Sequence, residues 1–121
     1  MMGAIIRIDI EARRKTAVSI ADCRRVVGEY FRIRDETMLG PKTKRAISRP
    51  RQMAMTLARE LTNHSSTAIG FNFGGRDHTT VLHAMRRISA LEAESDHIHV
   101  DMQNFRLTLL TYKFQQEAAM A

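Results

Sequence analysis

Along much of the chain, apolar residues return every three or four positions, the period of a helix with one buried face. Between Ser19 and Phe31 they fall at Ile20, Cys23, Val26, Val27, Tyr30 and Phe31, with Ser19 placed as an N-cap and Asp22 as its acidic partner three residues on. This predicts a helix over 19–31. Asp35 to Leu39 reads as a single helical turn stopped by Gly40 and Pro41. A basic loop follows. Pro50 suits the first turn of the next helix, whose buried face is Met53, Ala54, Leu57, Ala58 and Leu61 before "TNHSS" interrupts it. Ser65 or Ser66 then caps a very short helix ending near Phe71. "FGG" turns the chain into a longer helix with Val81, Leu82, Met85, Ile88 and Leu91 on one side. After an acidic break at "EAESDH", Ile98, Met102, Phe105, Leu109 and Tyr112 mark a last helix.

The expected fold class is therefore all-α, a small helical bundle with no internal repeat. Only the N-terminal arm, residues 1–18, departs from the pattern. Ile6, Ile8 and Ile10 alternate as in a strand, while "EARRKTAV" could equally extend a helix, and the pattern leaves both readings open. A chain of 121 residues suits a single core, which the pattern places within residues 19–118.

Charge narrows the partners. Nineteen Lys and Arg against thirteen Asp and Glu give a formal +6, which favours a polyanion such as nucleic acid or an anionic membrane surface. No apolar run approaches the length of a membrane span, and the N-terminus lacks a signal-peptide pattern, so a cytoplasmic protein is expected. Cys23 is the only cysteine, which excludes an internal disulfide and a cysteine-rich zinc site and places this thiol in the core. His78 and His83 are five apart, off the spacing of a helical metal pair, and His97 and His99 have no further ligand at useful spacing. No metal and no cofactor are expected. Neither is an enzyme, because no nucleophile with a base and no phosphate loop of the form GxxxxGK[ST] is visible.

A medium helix, a very short helix, a glycine turn and a helix with a polar first turn is the order of a helix-turn-helix. Two strings carry a closer likeness. "RPRQMAMTLARELTNHS" (Arg49 to Ser65) and "GGRDHTTVLHAMRRI" (Gly74 to Ile88) resemble the signature of the C-terminal DNA-binding domain, domain IV, of the bacterial replication initiator DnaA. The resemblance extends over roughly Ser19 to Leu110. It implies a Trp-repressor-like helix-turn-helix bundle that binds double-stranded DNA.

Carried over position by position, the resemblance implies base contacts from Asp77, His78 and Thr79 at the start of the recognition helix. The chemistry fits, since a carboxylate accepts from cytosine N4 and Thr or His serves polar edges or a thymine methyl. Phosphate contacts are implied for Arg51, Gln52, Arg59, Thr80 and Arg87. Lys42, Thr43, Lys44 and Arg45 form the basic loop, where the family usually has a minor-groove arginine at the position of Thr43. Ser66 and Thr67 stand where Leu-Pro is common, and Phe71 and Asn72 replace residues that are usually smaller or charged.

Each sharp reading has a plain rival. Asp77 is a good N-cap in its own right. The run from Lys42 to Arg59, with six basic residues and no acidic one, could be a solvated face rather than a phosphate-facing stripe. The functional expectation is sequence-specific binding at DnaA-box-like sites by a nucleoid-associated accessory or competing regulator of replication initiation or transcription, without ATPase activity. The alternative is a protein-interaction module that contacts the initiator or its partners with weakened DNA recognition.

Overall fold

The structure, a computed structural model, describes residues 18–120, with side chains as far as residue 111. The expectations for Ile6, Ile8 and Ile10 lie outside that range, as does the side chain of Tyr112, whose backbone is in the last helix. Among the described residues there are six helices: α1 (Ile20–Phe31), α2 (Asp35–Leu39), α3 (Arg45–Leu61), α4 (Ser66–Phe71), α5 (His78–Glu94) and α6 (Asp96–Met120). None is long and apolar enough to cross a membrane.

Helix α1 begins at a full capping box. Ser19 Oγ accepts from the Asp22 amide at 3.0 Å, and the Asp22 carboxylate accepts from the Ser19 amide at 2.9 Å, so two otherwise orphaned donors are satisfied. The helix ends at Arg32, whose left-handed φ of 57° lets its amide close back onto Glu29 and Gly28.

Helix α3 is the centre of the bundle and packs against every other helix. It starts at Arg45 rather than at Pro50, which sits well inside it. Pro50 costs the helix one backbone hydrogen bond, but the preceding turn is held from Lys44 O, which accepts from the Ile47 and Ser48 amides. Proline therefore marked a helical position without marking the first one.

The remaining boundaries follow local chemistry. Ser65 caps α4 by accepting from the Ala68 amide at 3.1 Å. The expected break at "EAESDH" shrinks to Ser95, with helix on both sides. Met102, Phe105 and Leu109 of α6 are buried, and Phe105 packs edge-on against Tyr30 and Phe31 of α1. The last helix thus closes the bundle. Cys23 is fully buried, and burial pushes its thiol up to about 12, so it serves as an inert core residue.

Candidate DNA interface

Helix α4, the turn that follows it and α5 form the helix-turn-helix. The turn is tight because Gly70 O accepts from the Phe73 amide at 3.0 Å and the Arg76 amide at 2.8 Å. A β-carbon on Gly70 would overlap Arg76 O, which explains glycine at that position. Val81, Ala84 and Ile88 anchor α5 in the core and leave its first turn free.

That first turn answers the question of whether Asp77 is only a cap. Asp77 holds the N-cap position with extended backbone, yet its side chain makes no capping bond. Instead its carboxylate accepts from Thr79 Oγ1 at 2.7 Å and pairs with His78 Nδ1 at 3.0 Å. Asp77 and His78 side chains are 66% and 51% exposed, which leaves both able to meet a ligand. The Thr79 hydrogen bond, and to a lesser degree His78, hold the Asp77 carboxyl below its usual range against a small opposing effect of burial. The three residues expected at base edges thus form one exposed, hydrogen-bonded polar cluster. Thr80 is exposed one step further on.

Arg51 departs from expectation. Its side chain turns inward, 5% exposed, and donates to four backbone carbonyls: Met38 at 2.7 Å, Lys42 at 2.9 Å, and Thr37 and Gly40 both at 3.2 Å. These are carbonyls at the end of α2 and in the basic loop, groups that a five-residue helix cannot satisfy by itself. Burial, and secondarily the charge of Arg76, lowers the guanidinium to about 10, still cationic at neutral pH. Arg51 is placed as a clamp on the loop.

The other expected phosphate partners divide. Arg87 is exposed, while Gln52 and Arg59 are half-buried. Arg59 lies eight residues past Arg51, about 12 Å along α3, and stands apart from the loop. Lys42, Thr43, Lys44 and Arg45 are all exposed.

Sequence reasoning gave two arginines no individual role, although it counted Arg49 in the basic run. Arg49 lies one turn after Arg45 on α3; its Nε is buried without a hydrogen-bond partner, as is Gln52 Oε1. Burial, then the like charges of Arg45 and Arg87, pull the Arg49 guanidinium below its usual range. Three guanidiniums from α3 and α5 therefore share one neighbourhood, an arrangement that favours an anion. The spacing of Arg45 and Arg49 without a nearby acid was the available signal. Arg76 is the second. Its Nη1 donates to Phe73 O at 2.7 Å and Leu39 O at 3.4 Å, and its Nη2 to Gly40 O at 2.6 Å. The two distant partners, Leu39 and Gly40, leave no trace in local sequence.

Among the described residues, no group of three or more His, Cys, Asp or Glu could hold a metal ion. What the site offers is exposed polar groups at the start of a helix beside a cationic loop, the parts with which a helix-turn-helix meets a duplex. Comparison with known families agrees with this geometry: the bacterial DnaA protein helix-turn-helix matches residues 20–88, more than half of the chain. The match begins with α1 and runs through the recognition turn to Ile88. The chain belongs to the bacterial DnaA helix-turn-helix family of DNA-binding domains.

Proposed function

We propose that the protein binds double-stranded DNA sequence-specifically, at sites related to the DnaA box, and regulates replication initiation or transcription without ATPase activity of its own. The observation that carries this reading is the Asp77–His78–Thr79 cluster, exposed on the first turn of a helix whose other face is locked in the core. Donors and acceptors of that kind, held in a fixed geometry, discriminate base edges in the major groove. Arg45, Arg49 and Arg87, with Thr80 and Arg59, supply the phosphate contacts in this reading, and Lys42 to Lys44 form the loop that approaches the adjoining groove. Arg51 supports the loop from behind.

Binding-site selection from random duplexes tests the proposal. Enrichment of one short site is the expected result; recovery of random sequence after repeated rounds would overturn specificity. A second reading, docking onto the initiator or its partners, is favoured by Phe71, which is 76% exposed at the end of α4. Under that reading, Phe71→Ser would abolish capture of a purified initiator and leave duplex affinity unchanged.

A further inference from the structure

Two arginines from different elements meet at one carbonyl. Gly40 O accepts from Arg51 Nη2 at 3.2 Å and from Arg76 Nη2 at 2.6 Å. We propose that Arg76 is a positioning residue for DNA specificity: bridged to Arg51 through the Gly40 carbonyl, it sets the register between the basic loop and the recognition helix. This inference rests on the DNA-binding reading above.

The loop needs such a device. It follows a five-residue helix, too short to be stable alone, and its residues 41–44 are exposed and form no helix. Arg51 fastens the loop to α3, which fixes one side of it. Arg76 fastens the same backbone to the turn that immediately precedes Asp77, since its other nitrogen bridges Phe73 O and Leu39 O. Gly74 completes the junction. A β-carbon there would overlap Leu39 O, so the two backbones touch with no side chain between them. Arg24 ties the far side, donating to Asp35 of α2 and to Asn72 O in the same turn.

Both terminal guanidinium nitrogens of Arg76 thus donate to backbone carbonyls, which argues against a base or phosphate as their partner. What they govern is the separation of two DNA-facing segments. A protein that holds both segments in advance avoids ordering them on binding, and it rejects sites whose two parts are wrongly spaced. The fork geometry matters here, because one ammonium cannot span the carbonyls that two guanidinium nitrogens reach.

The test is Arg76→Lys, which keeps the charge and removes the fork. On the duplex selected by the wild-type protein, affinity is expected to fall about tenfold, while affinity for an unrelated duplex stays within about twofold and the salt slope is unchanged on both. Selection repeated with the variant should retain base preferences at one end of the site and lose, or find at variable spacing, those at the other. Equal losses on both duplexes would mean a general structural role, and a salt slope lower by about one would mean a phosphate contact. Either result, or unchanged affinity for the selected duplex, overturns the proposal.

A second pair of variants guards against misfolding. Gly74 and Gly75 share a φ of 75°, but only Gly74 presses on Leu39. Gly74→Ala should reproduce the selective loss and Gly75→Ala should cost far less specificity; equal effects on selectivity would contradict the junction model. A wild-type protein that enriches no site would instead overturn the proposed function and take this inference with it.

Discussion

Arg49 and Arg51 lie two positions apart on α3 and face opposite demands. Arg51 has four backbone carbonyls as partners, one bond buried and three part-buried, so Arg51→Ala would leave these acceptors without their donor. We expect a loss of about 3 kcal/mol in urea unfolding, the scale of breaking charge-assisted hydrogen bonds inside a protein. Unchanged stability, together with a lower salt slope in DNA binding, would return Arg51 to the phosphates. Arg49 has no partner for its buried Nε and two like charges nearby. Arg49→Gln should therefore leave the free protein at least as stable, yet weaken binding to any duplex and lower the salt slope by about one counterion unit. A destabilised variant with an unaltered slope would make Arg49 a scaffold residue.

At the scale of elements, hydrophobic period and capping chemistry made the helices legible. Ser19 with Asp22, the stop at Gly40, the Ser65 cap and the buried stripe of α6 all follow from local rules. Pro50 misled because proline is tolerated inside a helix when neighbouring hydrogen bonds hold the turn before it. In the site, the exposed polar turn at Asp77, His78 and Thr79 was legible because the glycine pair before it places these residues at a helix start, ahead of the first buried position, Val81. The inward turn of Arg51 and the span of Arg76 were not, because their partners lie 9 to 14 residues away in one case and up to 37 in the other. Charge identified both as cationic; only tertiary packing decides whether a cation meets carbonyls or phosphates.

The basic loop carries its own prediction. Thr43 is exposed at the position where the family resemblance implies a minor-groove arginine, and a threonine is too short to span that distance. Narrow A·T-rich grooves concentrate negative potential and favour an inserted arginine. Thr43→Arg should tighten binding to a DnaA-box duplex by about 1 kcal/mol more than binding to the same duplex altered only in its A·T-rich half. Equal gains on both would reduce the effect to added charge.

For the whole molecule, α3, α5 and α6 are stapled by Arg106, which donates to Glu60 at 2.9 and 3.0 Å and to Glu92 at 2.8 and 3.1 Å. The three side chains are 17–34% exposed, so the pair energies are partly screened. Arg106→Ala leaves two carboxylates facing each other and should cost about 2 kcal/mol in urea unfolding, less than the roughly 3–5 of a fully buried pair. A loss under about 0.5 kcal/mol would assign the bundle's stability to its apolar core alone. Because this staple lies outside the proposed DNA-facing cluster, the variant should keep its preference between duplexes while folded.

In the proposed function, the exposed turn at Asp77, His78 and Thr79 reads bases. That role is tested most directly by titrating the wild-type protein and a variant with all three residues replaced by Ala against the selected duplex and its scrambled counterpart, at one salt concentration. The variant is expected to lose about tenfold or more on the selected duplex and little on the scrambled one, so that discrimination collapses while general DNA affinity survives. Equal loss on both duplexes, or discrimination that persists without the three side chains, would contradict it.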